Sequence, residues 1–442
     1  MPAGTHPTRP GVVLALMCGV QFMVTLDLAV VNVAIPSIQA DLGLAQSDLQ
    51  WVIVTYGVTL GGCLLLGGRA ADLFGRRRVL VAGLVLFGAA SLAAGLAGSL
   101  AQLVVPRAVQ GLGAALAAPA ALSTVAATFA EGAPRTRALG IFAAVSGTGA
   151  SVGVLAGGAL TDGPGWPWVF LLNVPIGVAL VALVLRHVPA GRPGRPGRGA
   201  IDVLGAATVT GGLMAVVYGI NRSPEVGWTS PGVVAALALG VALLVGFTRV
   251  ERRTASPLVP PALARRPTLV AAVAVAALVF GSFFATIFQA TLFMQQGLGY
   301  SAVRTGLAWL ASTASSLVVA GALAPRVVGR FGASRSLVLG QVIQAAGLVA
   351  LSRAPHDAAY WTDLFPGFLC FGVGLGFSIM ATQVAAFVGV ESSVAGLAGG
   401  MVETAREVGG ALGTAVVATI AVARADDALA GGSTRLGALT AG

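Results

Sequence analysis

The sequence contains no lysine, and all 26 of its basic residues are arginine. That excludes a phosphate-binding P-loop, whose grip needs Lys after the glycines, and it excludes Schiff-base chemistry. Charge of either sign is scarce, at 10% of 442 residues, where an ordinary soluble domain carries roughly 25%. Such a chain cannot cover its own surface in water. Histidine occurs only at His6, His187 and His356, in the tail and at loop positions. An intramembrane enzyme would want a His or metal cluster inside an apolar run, so no enzyme, metal or cofactor is expected. The three cysteines (Cys18, Cys63 and Cys370) lie in apolar stretches without a pairing pattern, and burial is expected for each.

Apolar surface is abundant instead. Hydrophobic residues make up 56% of the chain and mean hydropathy is +0.90. Glycine reaches 62 residues, about twice its usual share, which suits helices packed backbone against backbone in lipid. A spanning helix needs about 20 apolar residues, and thirteen such runs can be counted, from about 11–36 to about 397–423. The fold class is an all-α polytopic membrane protein. The first run holds Gln21, Thr25, Asp27 and Asn32 and is too long for a cleaved signal, so it reads as an uncleaved span. The net charge of +10 is no nucleic-acid footprint, because the arginines sit in short loops between the runs. With the N-terminus inside, nineteen arginines fall in inner loops and five in outer segments. That bias predicts a cytoplasmic N-terminus. Trp51, Trp166, Trp168 and Trp361 fall near run ends and read as interfacial anchors.

The chain also repeats itself. DLFGRRR at 72–78 aligns with GRFGASR at 329–335, an offset of 257, and the same offset carries the start of the first run onto that of the ninth. Two six-helix units flanking a two-helix insert follow, as in secondary transporters that rock one half against the other. The first unit covers 1–187, the linker and insert 188–267, the second unit 268–424, and a tail 425–442. The tail holds two adjacent acids, an Arg and four glycines, too polar and broken to span. Five helices are therefore expected in the second unit, with the C-terminus outside. GRPGRPGRG at 191–199 reads as a flexible basic linker drawn to anionic headgroups.

Four motifs, in order, resemble those of one family. GRAADLFGRRR at 68–78 resembles the signature loop between the second and third helices of the major facilitator superfamily. LDLAVVNVAIP at 26–36, RAVQGLG at 107–113 and WPWVFLLNVPIG at 166–177 resemble the first-, fourth- and sixth-helix motifs of its fourteen-helix drug:proton antiporter branch, the EmrB/QacA type. Two positions depart from that pattern: Pro167 stands where Arg is usual, and Gly153-Val154 where Gly-Pro precedes the paired glycines. The resemblance implies a monomeric, multi-pass protein of the bacterial cell membrane, apparently lacking the branch's last helix. It implies proton-coupled efflux of small, largely apolar drugs or metabolites. A dedicated exporter of one self-made metabolite or antibiotic is the alternative, and a proton-coupled importer stays open. The partners are then a small-molecule substrate, protons and membrane lipids, without nucleic acid.

Asp27 is the leading candidate, since a carboxylate inside a bilayer is expensive unless paired, hydrated or protonated. On a helical wheel it lies nearly opposite Gln21, Thr25 and Asn32, so the first span must be enclosed or face a cavity. A carboxyl moving between a desolvated setting and an Arg can take up and release a proton. Arg107 is its partner by depth along the fourth span, and the resemblance implies that it assists proton transfer. Gly68, Asp72, Gly75, Arg76 and Arg77 would form a cytoplasmic gate latch, again by resemblance. Asp72, placed just past the second span, can meet a helix N-terminus or an Arg. The gate motion is expected between the inner ends of spans 2 and 11. Glu403 and Glu407, one turn apart beside Arg406, share a face and are candidates for a cationic substrate or a second proton. Gln289, Gln295 and Gln296 with Phe280, Phe283, Phe284, Phe288 and Phe293 form a candidate aromatic and amide cavity lining.

Overall fold

The computed structural model describes residues 10–44, 46–189, 203–254, 257, 259–260, 263, 265–300, 302–355, 357–391 and 394–430. Every regular element among them is helical. Inside lipid the backbone must satisfy its own hydrogen bonds, and a helix does so within one segment. The linker at 191–199 and the tail residues 431–442 lie outside the described residues.

α1 (Pro10–Leu42) packs along α5 (Ala133–Asp162), while α2 (Gln46–Phe74) and α3 (Arg76–Gly95) both pack on α4 (Leu100–Thr128). The short α6 (Pro167–Leu171) leads into α7 (Asn173–His187), which lies on α3. α8 (Val203–Val226) and α9 (Pro231–Glu251) pair with each other, and α8 leans on α2. Further on, α10 (Pro267–Leu292) runs along α15 (Ala395–Ala430), and α13 (Ala333–Ser352) along α14 (Phe365–Phe387). α11 (Ala302–Val318) joins α12 (Ala324–Phe331) through a π-helical turn at Val319–Leu323.

The sequence repeat has a backbone counterpart. Gly75 and Gly332, which the offset of 257 superimposes, sit at the α2–α3 and α12–α13 turns with φ of 94° and 84°. Glycine takes that left-handed region without the penalty a Cβ brings. The helices related by the offset also exchange roles where the halves of the chain meet. α2 packs against α15, and α5 packs against α11.

Ten helices or helix pairs among the described residues are long and apolar enough to cross a membrane, and Leu204–Ile220 of α8 is a shorter apolar helix. The thirteen apolar runs all fall on helices, among them α5 and α15, which are 30 and 36 residues long. Both are rich in glycine and small or polar residues. Both also lie along other helices, so they face protein more than lipid. α9 shows the opposite regime, with 11% of its apolar window buried against 78% for α4.

Two expectations need correction. Cys370 is exposed on α14 rather than buried, because that face of the helix points away from its neighbours; Cys18 and Cys63 are buried. Trp166 is buried rather than interfacial, and its Nε1 donates to Asp41 Oδ2 at 2.8 Å. A buried indole N–H needs an acceptor, and Asp41 near the end of α1 supplies it.

Candidate functional site

Asp27 is fully buried in the middle of α1, with Arg107 of α4 at 1% exposure beside it. Arg107 Nη1 donates to Asp27 Oδ2 at 2.7 Å. The other carboxylate oxygen accepts from Asn173 Nδ2 at 2.7 Å and from Gln110 Nε2 at 3.3 Å. Asp27 is thus held by three donors from two helices, the charge-assisted arrangement that makes a buried carboxylate tolerable.

The guanidinium is held as firmly. Its Nε donates to the Val52 carbonyl at 3.0 Å and its Nη1 to Gln110 Oε1 at 3.0 Å, and its carbon lies 4.2 Å from the Tyr56 ring centroid. Gln110 stands three residues after Arg107, so helical geometry puts both on one face of α4. Its Nε2 also donates to Ser91 Oγ on α3 at 2.7 Å. Depth along each helix foretold the Asp27–Arg107 pairing. Gln110, Asn173, Ser91 and Tyr56 were not foreseen as its supports, although a Gln and an Asn inside apolar runs were a signal of it. On the opposite face of α1, Gln21 is buried and Thr25 turns back to the carbonyls of Gln21 and Phe22.

A second cluster joins distant parts of the chain. Asp72 lies in the last turn of α2, still within the helix rather than past it. Its Oδ1 accepts from the Gly396 N–H at 2.9 Å and its Oδ2 from the Leu397 N–H at 2.8 Å. α15 begins after Val394, whose side chain cannot cap, and the first N–H groups of a helix lack intrahelical partners. Asp72 supplies the missing cap from another helix and brings negative charge to the positive end of the macrodipole. The gate motion was expected between the inner ends of spans 2 and 11, the latter being α13; the helix that Asp72 meets is α15. The helices touch along their backbones. A Cβ on Gly68 would strike the Gly396 carbonyl, and one on Gly400 would lie 2.8 Å from the Leu64 carbonyl. Arg69 and Arg76 lie within electrostatic reach of Asp72, and Arg77 Nη2 donates to the Leu185 carbonyl at the end of α7 at 2.7 Å.

Glu403 and Arg406 form an ion pair on α15, both at 5% exposure. The Arg406 guanidinium carbon lies 4.0 Å from the Phe280 ring centroid. Glu407 is half-buried one residue on, facing Gly61 of α2. The aromatic stripe of α10 mostly packs. Phe283 meets Phe284 at 5.3 Å and stacks on Phe371 at 6.4 Å, and Phe280 lines a small cavity. Gln289 is held within α10, Gln295 is exposed, and the side chain of Gln296 lies outside the described residues.

Comparison with known proteins agrees with this geometry. Residues 17–414 match the Major Facilitator Superfamily. The puromycin resistance protein of Streptomyces alboniger is 40% identical over 412 residues, covering 92% of this chain and 81% of its own length. The cephamycin export protein of Amycolatopsis lactamdurans is 40% identical over 411 residues, covering 92% and 84%. The solved structure of the human organic anion transporter TETRAN shares the fold, with a TM-score of 0.67 at 14% identity over 99% of this chain and 97% of that one. The chain belongs to the major facilitator superfamily, as a multi-pass membrane transport protein of the multidrug-resistance type and not an enzyme.

Proposed function

We propose that this protein is a proton-coupled exporter dedicated to one antibiotic-like metabolite, working by alternating access. The buried Asp27–Arg107 pair is the observation that carries the coupling. A proton on Asp27 competes with Arg107 and Asn173 for the same oxygens, so protonation and release of Arg107 go together. That exchange gives the helices a reason to move when a proton arrives. The relatives at 40% identity support a dedicated substrate, since one is named for puromycin resistance and the other for cephamycin export. Within this reading the chain is organised as two helical units, 1–187 and 268–424, about an insert at 188–267, with thirteen spans and a cytoplasmic N-terminus. Asp72 and the residues around it latch the cytoplasmic side.

The test is a resistance profile in a drug-sensitive bacterial host, with puromycin and a cephamycin among unrelated classes, followed by ΔpH-driven uptake into inverted vesicles. Strong protection against one class, with export that collapses when ΔpH is dissipated, is expected. Protection across many unrelated classes would replace the dedicated reading with a broad multidrug one. Substrate movement down the proton gradient in the same direction as protons would make it an importer.

Sidedness has its own test. In a cysteine-free background with Cys370 removed along with Cys18 and Cys63, single cysteines at 191–199 should resist membrane-impermeant maleimide on intact cells. Cysteines at 221–230 should react. The reverse pattern would invert the topology.

A further inference from the structure

The Asp27 site lies where two pairs of helices meet. α1 is locked to α5: a Cβ on Gly153 would lie 2.8 Å from the Leu26 carbonyl oxygen, and one on Gly157 2.9 Å from that of Val30. α2 is locked to α4 in the same way. A Cβ on Gly111 would lie 2.6 Å from the Tyr56 carbonyl oxygen, and one on Gly67 would strike the Ala115 carbonyl. Small residues that let backbones approach this closely mark tightly packed helix pairs. Asp27 belongs to the first pair and Arg107 to the second, so their ion pair ties the two together.

A proton on Asp27 removes the counter-charge of a guanidinium that is 1% exposed. A buried cation without a partner is costly, so Arg107 needs another holder at that moment. α2 supplies one. Its Val52 carbonyl accepts from Nε at 3.0 Å, and one turn on the Tyr56 ring centroid lies 4.2 Å from the guanidinium carbon. Val52 and Tyr56 stand four residues apart and share a face of α2. Phe170 of α6 is at 5.9 Å, the limit of such contacts. Tyr56 is fully buried, where a cation–π contact is strongest. Its hydroxyl meets no partner among the described residues, so this position supplies an aromatic face and not an O–H. The charged groups within electrostatic reach of Tyr56 among the described residues are Asp27, Arg107 and Glu407 of α15. Glu407 is therefore the rival holder.

We propose that Tyr56 is a positioning residue of the proton site: its ring keeps Arg107 on α2 when Asp27 is protonated, so that the tie opens on the α1 side. The proposal deepens the coupling reading above and rests on it for Asp27 as the carrier of the proton. Its consequence is mechanical. α2 keeps the cation near its start and carries Asp72 sixteen residues on from Tyr56, about 24 Å at 1.5 Å per residue. α1 and α5 are then freed to move against the helix that bears the latch.

Two holders make the effects of their removal non-additive, since either one keeps Arg107 in place and only loss of both strands it. The test is a double-mutant cycle on the purified full chain in lipid nanodiscs, with Asp27→Asn standing for the protonated acid. The readout is the rate at which Cys63, buried on α2, reacts with a membrane-permeant maleimide after Cys18 and Cys370 are replaced by Ala. That rate follows the opening of the helix packing. Tyr56→Leu combined with Asp27→Asn should react about tenfold faster than the product of the two single effects, a fraction of the cost of a stranded buried charge. Tyr56→Phe keeps the ring and should match Tyr56 to within about twofold in both backgrounds. With Arg107→Gln added to Asp27→Asn, no charge remains in the pair and the excess should vanish. Tyr56→Met gives the same cycle should the Leu variant fold poorly. Additive effects would overturn the proposal. So would a Phe variant that behaves like Leu, an excess that survives loss of Arg107, or an excess produced by Glu407→Gln and not by Tyr56→Leu. Failure of Asp27 as the proton carrier would show instead in the vesicles, with these rates unchanged, and would overturn the reading on which the proposal rests.

Discussion

Asp27→Asn is expected to leave the transporter folded and inserted while reducing uphill export to simple equilibration. Asn keeps the volume of Asp and one oxygen for the Arg107 donor. Its amide nitrogen, however, would face the N–H groups of Asn173 and Gln110, which now donate to Oδ1. More importantly, an amide exchanges no proton. With one proton exchanged per substrate, a pH difference of one unit supports about tenfold accumulation. The variant should hold the ratio near one in purified vesicles. Arg107→Ala should impair the same step and stability besides. Removing one partner of a buried ion pair strands the other charge, at a cost of about 3–5 kcal/mol. Undiminished accumulation by purified Asp27→Asn would remove Asp27 from the mechanism.

The sequence made this pair legible through one coordinate, depth. Counting residues from the end of each apolar run put Asp27 and Arg107 at the same level, and the wheel showed that α1 is polar on two sides. Counting along one helix says nothing of how neighbouring helices are turned about their axes. Asn173 and Ser91 therefore reached the site only in three dimensions. The same limit hid the Trp166–Asp41 bond, whose partners stand 125 residues apart. Apolar run length located the helices well because a helix is what an apolar run must form in lipid. An apolar run was a poorer guide to which helices meet lipid, since α5 and α15 lie along other helices while α9 has little of its apolar window buried. The repeat proved informative at its turns, where Gly75 and Gly332 share a backbone conformation that few other residues accept. It broke down at the position that matters most there: Asp72 aligns with Gly329, so only one of the two equivalent turns carries an acid. The asymmetry singles out α2 and α15.

Replacing Asp72 should therefore change how long the α2–α15 contact stays closed, in a graded order. Aspartate accepts from two α15 N–H groups and brings a charge to the helix N-terminus. Asparagine keeps a single accepting oxygen and no charge, and alanine keeps neither. Loss of an N-cap costs about 0.5–2 kcal/mol, and loss of a charge near the helix dipole about 0.3–1 kcal/mol. A change of one to two kcal/mol moves a two-state equilibrium by roughly 5–30-fold. Spin labels at the ends of α2 and α15 should report a short distance in the parent protein. A longer population should grow in Asp72→Asn and grow further in Asp72→Ala. Transport should slow with the growth of the open population. Gly400→Ala provides an independent check, since its added methyl would press on the Leu64 carbonyl and push the helices apart with the Asp72 cap chemically intact. The distances should lengthen there as well. If neither distance nor rate responds to Asp72→Ala, the acid serves only to finish α15, and Arg76 and Arg77 are left as anchors of the loop.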